Sequence, residues 1–317
     1  MARKINPIRK FLSNGAGKTI PWFLILAMVV LLGAGFYFQV PKVKAGTTAA
    51  TTATIENVAP TVSDVSLNSQ ANFAPVENTI KSVNITGKVV DTNGAAECTT
   101  ISAIAYRSGV SSTCAANDND CYRGVTCSTS ASGTVINCTC AVSIWFHGDP
   151  TDAGDYVAQW WTGSILATDT SSATGIGSSA ASAPELTTLR ALDVTTSIAY
   201  STVAPGANTG ATNQNVTVTA TGNAAIDCSL KGTNMTSSSS KGTVLATKQK
   251  YDLAAFTYAS GGTTLSTSDA ALELVCAKPS THPSDSTDII YWGLGVDNGT
   301  PAAADYSGTN TLTATPD

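Results

Sequence analysis

"NVTVTATGN", residues 215–223, alternates apolar and polar side chains almost without a slip. Val216 and Val218 point one way and the threonines the other, the period of two that marks a half-buried strand. "SVNITGKVV", residues 82–90, does the same, with Val83, Ile85 and, past Gly87, Val89 on buried positions. "DTNG" then closes a turn. Further strands are predicted in "TTISAIAYRSG" (99–109), "SGTVINCTCAVSIWF" (132–146) and "SILATD" (164–169). Others follow in "AALELVCAKP" (270–279), "DIIYWGLGV" (288–296) and "YSGTNTLTATPD" (306–317). Short strands between Gly, Pro and Asn turns predict an all-β chain of sandwich type. After residue 45 the sequence offers no periodic helix of useful length.

Composition agrees. Charged residues make up 12% of the 317 positions, too few for a helical bundle or coiled coil. The formal charge of −5 is uneven: seven of the 17 basic residues and none of the 22 acids precede residue 46. The remainder therefore sets ten bases against 22 acids, a net −12. That is the wrong sign for neutralising phosphates, so nucleic acid is not an expected partner.

The basic leader precedes "PWFLILAMVVLLGAGFYFQV", residues 21–40, an uncharged apolar run long enough to cross a bilayer as a helix. Lys and Arg ahead of it favour a cytoplasmic N-terminus. Residues 1–45 read either as a signal peptide cut near Val43-Lys44-Ala45 or as an uncleaved membrane anchor. A pilin-type helix held in a filament core is a third reading. All three place residues 46–317 outside the membrane, exported to the cell surface or beyond. Eight cysteines fit an oxidising compartment. Zinc is disfavoured, because C-x-x-C is missing and only His147 and His282 could assist.

Two low-complexity stretches divide the chain. Residues 46–57 read as a Thr/Ala-rich tether, and residues 170–185 as a Ser/Ala/Gly linker between domains at 58–169 and 186–317. "APTVSDVSL" (59–67) with "ITGKVVDTNG" (85–94) resembles the opening strands of Ig-like repeats in prokaryotic surface proteins. "VAPGANTGATNQNVTVTATGN" (203–223) is similar to a signature shared by extracellular Ig-like modules, with Ala220 where Asn is usual. The layout, including Asp-Pro-Thr-Asp-Ala-Gly at 149–154 ahead of a Trp, resembles two-domain envelope proteins. The resemblance implies two Ig-like β-sandwiches at a cell surface and brings no catalytic residues with it.

Within that frame, Cys228 and Cys276 are expected to pair across the second sandwich, as the intersheet bridge of Ig domains does, worth about 4 kcal/mol. Cys98, Cys114, Cys121, Cys127, Cys138 and Cys140 allow 15 pairings. Cys138 and Cys140 share a strand face and are not expected to bond each other.

The densest chemistry lies in "WFHGDPTDAGDYVAQWW", residues 145–161. Asp149, Asp152 and Asp155 offer carboxylates for glycoside hydrolysis, but Pro150 and Gly154 make the segment a turn and a nucleophile motif is lacking. The chain is therefore not expected to be an enzyme. Calcium is a candidate ligand at Asp149, Asp152 and Asp155, or at Asp118 and Asp120, although neither spacing matches an EF-hand; otherwise no cofactor is expected. Tyr156, Trp160 and Trp161 are candidates for stacking on a glycan or for packing. Adjacent tryptophans on a strand face opposite ways, so only one enters the core. Five N-x-S/T sequons, at Asn84, Asn137, Asn215, Asn234 and Asn298, are no more than this Ser/Thr-rich composition yields by chance. The expected role is a structural or assembly subunit that associates with itself or with other envelope proteins. A surface adhesin or carbohydrate-binding module using the Trp160/Trp161 region is the alternative.

Overall fold

Val83, Ile85 and Val89 are buried, as are Val216 and Val218, because alternation turns into strand wherever one face has a core to meet. The computed structural model describes residues 49–180, 184–195 and 197–317. The apolar run at 21–40 and the leader before it lie outside the described residues. Among those described, no helix is long and apolar enough to cross a membrane.

The described residues are all-β apart from single 3-10 turns, with antiparallel strands numbered along the sequence. In the first half, β1 (Thr61–Leu67), β2 (Ile80–Val90), β6 (Val135–Trp145) and β5 (Ser128–Ser132) form one sheet in that order. β4 (Cys121–Thr126), β3 (Cys98–Arg107), β7 (Trp161–Asp169) and β8 (Thr174–Ser178) form the other. Between them lies a core containing Leu67, Ile85, Ile144, Trp161, Ile165 and Leu186. Gly87 occupies an inward position of β2 because Ile165 reaches it: a Cβ there would lie 2.6 Å from the Ile165 Cδ1.

The second half places β15 (Thr263–Thr264), β14 (Gln249–Asp252), β17 (Thr287–Leu294), β10 (Gln214–Ala220) and β9 (Leu192–Val194) in one sheet. A second holds β16 (Ala270–Cys276), β11 (Ile226–Gly232) and β19 (Asn310–Pro316). A small third joins β13 (Thr243–Val244), β12 (Met235–Ser237) and β18 (Tyr306–Ser307). Its core gathers Val216, Val218, Ile226, Leu230, Ile290 and Trp292. Both halves belong to one compact unit, residues 56–317.

The expected linker at 170–185 contributes a strand instead. β8 pairs along β7, and its opposite side lies so near β1 that a Cβ on Gly175 would sit 2.0 Å from the Pro60 carbonyl oxygen. The small residues there permit close packing rather than flexibility. Leu186, expected to open the second domain, is fully buried in the first core and bridges Phe73. Residues 49–60 form no strand, and the end of this stretch is fastened: the Asn57 Nδ2 donates to the Asp169 carboxylate at 2.8 Å.

Two disulfides form, Cys114–Cys121 and Cys127–Cys140. The second ties the residue before β5 to β6, one step beyond the Ser128–Thr139 pair of the same sheet. Cys138, on the same strand face as Cys140, stays a buried thiol whose Sγ donates to the Gly87 oxygen. Cys98 is also free.

The expected bridge between Cys228 and Cys276 is absent; both are free and buried. They stand on neighbouring strands of one sheet rather than on facing sheets. A register shift sets Cys228 opposite Leu272 while Cys276 faces Ile226, so the two are not directly opposed. Burial pushes the Cys228 thiol up to about 12 and the Cys276 thiol up to about 11, which keeps both protonated and inert. Denatured but unreduced protein should therefore titrate as four thiols with a chromogenic disulfide reagent. A count of two, with Cys98 and Cys138 the labelled residues in a peptide map, would mean that Cys228 and Cys276 bridge.

Candidate functional site: a buried clasp between the two halves of the chain

β6 ends at Trp145, and the next residues turn inward rather than toward solvent. Phe146 and His147 are fully buried and Asp149 nearly so. The Gly148 amide donates to the Trp145 oxygen at 3.0 Å and makes the turn. A carboxylate removed from water must be met by charge or by donors, and Asp149 has both. Its Oδ2 accepts from the Arg107 Nε at 3.0 Å, and its Oδ1 lies 3.1 Å from the Lys278 Nζ. Its backbone oxygen accepts the Trp161 indole N–H at 2.9 Å.

Arg107, the last residue of β3, spends its remaining donors on the same loops. The Nη2 pairs with Asp120 at 3.2 Å, and the Nη1 donates to Gln159. Its guanidinium carbon sits 3.8 Å above the Tyr156 ring, a cation–π contact. A planar fork with five donors suits such a node where lysine would not.

The loop carrying Asp120 is ordered by turn chemistry and by the Cys114–Cys121 bond. The Asn117 side chain accepts from the amides of Asn119 and Asp120. This presents Asn119 to the second half of the chain: Lys278 donates to its Oδ1 at 3.0 Å, and its Nδ2 donates to the Ser280 oxygen at 3.1 Å. Lys278, Ser280 and His282 all follow β16. The His282 ring stacks on Trp145 at 4.4 Å with 17° between planes, and His147 lies parallel to the same indole at 6.3 Å. The two histidines of the chain, 135 positions apart, thus flank one tryptophan.

A second attachment holds residues 187–189, the segment that connects the two halves. Asn223 accepts the Leu189 amide at 2.6 Å and donates to the Thr187 oxygen at 3.1 Å. Thr221 donates through Oγ1 to Glu77 at 2.9 Å, and its oxygen accepts the Asn78 amide. A Cβ on Gly222 would lie 2.0 Å from the Leu189 oxygen. The Thr-Gly-Asn that ends "NVTVTATGN" is therefore a latch between the two halves as well as the end of a strand.

These contacts reassign the candidate residues. Asp149, Asp152 and Asp155 do not converge on a cation: Asp149 faces Arg107 and Lys278, Asp152 caps Thr188 through its amide and hydroxyl, and Asp155 is exposed on a 3-10 turn. Asp120 is taken by Arg107 and Asn117, while Asp118 offers its backbone oxygen to the Tyr122 hydroxyl. Among the described residues, no three His, Cys, Asp or Glu side chains are grouped to hold a metal. Cations meet the Asp149 and Asp120 carboxylates and the Thr188 amide and hydroxyl meet Asp152, so these three groups point to different partners. Trp161 is the core tryptophan, packed edge-on to Phe73 and tilted against Tyr122; Trp160 is half-buried, and Tyr156 lies under Arg107. Sequence reasoning missed Arg107 and Lys278, whose partners are remote in the chain. The only signal was their rarity in so uncharged a sequence.

Known protein families and curated proteins were compared with this chain, and none of them matches it.

His147 makes the clasp sensitive to acid. Its Nε2 is buried without a partner, and the Nδ1 lies 3.4 Å from the Asn119 Oδ1. Burial, and then the Lys278 charge, hold its imidazole below the ordinary 6.5 despite opposing pulls from Asp118 and Asp285. The unfolded chain thus binds the proton first. The associated stability is complete above about pH 6.5 and lost as pH falls toward the folded value, by up to about 1.4 kcal/mol per unit. Urea midpoints should fall across that window and lose this slope in His147→Phe. An identical slope in the variant would assign it to another group.

Proposed function

We propose that this chain is a non-enzymatic, exported structural subunit of a cell envelope, built from two Ig-like sandwiches that assemble with further copies or with other envelope proteins. The clasp carries the reading. It spends the scarce charges of the chain on fixing one sandwich to the other, which suits a part that transmits position and force. The two disulfides are compatible with an oxidising, extracellular location, where such bonds persist.

The second sandwich also offers a place for contact. Its sheets end in β9 and β19, each paired on one side only. A groove of about 380 Å³ between those edges is lined by Val194, Ile198, Tyr200, Val216 and Leu312, among other uncharged residues. Unpaired edges invite a strand from another chain. The uncharged, exposed residues 49–55 supply a segment able to add there.

Removing residues 46–57 should abolish polymers seen by electron microscopy and leave a folded monomer by circular dichroism. Polymers unchanged by the deletion would contradict assembly through this segment.

A further inference from the structure

β5 is an edge strand with nothing to guard it. A bare edge is a template for another strand, and proteins blunt theirs with charge, proline, a bulge, a cover or shortness. Among the described residues the other edges carry such a device. β1 and β8 cover each other, with the Val62 oxygen close over Gly177. β4 has Arg123 and a register shift against β3, and β16 has Glu273 and a shift against β11. β9, β13, β15 and β18 run to three residues or fewer. β19 ends in Pro316 and borders the groove of about 380 Å³. β5, Ser-Thr-Ser-Ala-Ser, has neither charge nor proline, keeps an unbroken register with β6 and exposes all five residues.

The register also fixes which backbone groups are left over. The Asp91 amide donates to the Thr134 oxygen at 2.9 Å, so even-numbered residues along β6 turn their backbone groups toward β2. Val135, Asn137 and Thr139 therefore serve Ser132, Ser130 and Ser128. Thr129 and Ala131 aim their N–H and C=O groups past the edge.

We propose that β5 pairs with β5 of a second copy of this chain, antiparallel about a two-fold axis through Ser130, so that two sheets run on as one. The edge is its own complement. Turned about that axis, Thr129 of each copy meets Ala131 of the other, and each of these pairs exchanges both its backbone hydrogen bonds. Ser130 meets its own counterpart at a non-hydrogen-bonded position, where Cα atoms stand about 4.5 Å apart. No like charges are brought face to face, which would destabilise such a pair. A contact of this kind uses one patch on both copies and closes at two.

The pairing rests on the reading of the chain as an assembling subunit and adds a second contact to it. Strand addition in the second half runs head to tail, and a two-fold contact in the first half would join one such row to another. Five residues a side fall short of the roughly 20–30 of a stable interface. Copies gathered in a polymer or on a membrane should therefore pair, while dilute chains stay single.

Cysteine trapping tests the register in the full chain, with the half-buried free thiol removed by Cys98→Ser. Under mild oxidation in polymers, S130C should form a disulfide with itself. S128C and S132C should not do so alone, because each stands opposite the other's position; mixed in equal amounts they should cross-link. Ala131→Pro removes an outward N–H and leaves the β5–β6 hydrogen bonds in place, so it should abolish S130C trapping in chains that circular dichroism shows folded. S130C that stays unlinked, in polymers and in concentrated monomer alike, overturns the pairing, and polymers seen in that case leave assembly itself standing. S128C that links to itself as readily as S130C overturns it as random collision. S130C trapped in concentrated monomer that forms no polymer supports the pair and contradicts the head-to-tail contact.

Discussion

Asp149 is a carboxylate withdrawn from water, with a guanidinium on one oxygen and an ammonium near the other. A buried charge costs several kcal/mol unless its partners are well placed, so this one residue dictates where three loops go. Arg107 must come from the end of β3, Lys278 from beyond β16, and Asn119 from the disulfide-closed loop between β3 and β4. Removing Asp149 would leave the Arg107 and Lys278 cations without the carboxylate they share. Losing one partner of such a group typically costs about 3–5 kcal/mol. The aromatic layer of Trp145, His147 and His282 packs beside it and keeps water from competing.

The second attachment works by shape and hydrogen bonding rather than charge. Asn223 and Thr221 reach the connecting segment and the loop before β2, while Gly222 lets the two backbones touch. Two attachments of different chemistry restrain a connection that either alone would leave free to pivot. The His147 titration weakens only the first, so acid should loosen the clasp before it loosens the latch.

The alternating strands were legible because burial of one face imposes a period of two whatever the partner strand is. Val83, Ile85 and Val89, like Val216 and Val218, sit where that period puts them. Trp161 taking the core while Trp160 does not is the same rule at one step. What depended on distant pairing was not legible. Residues 170–185 read as a linker because Gly175 and Gly177 look flexible until the Pro60 and Val62 carbonyls that require them are known. Cys228 and Cys276 sit on strands, as expected, but sequence does not reveal that the strands are neighbours in one sheet with a shifted register. The Asp149 stretch looked like a metal loop because its cations lie 42 positions before it and 129 after it.

If the clasp couples the two halves of the chain energetically, they unfold together. Differential scanning calorimetry measures this directly. Wild type should unfold in a single cooperative transition, and Lys278→Met, which removes the charge linking the halves, should split or broaden that transition into two. Two separate transitions in wild type, or a variant that melts as one unit at the wild-type temperature, would contradict it.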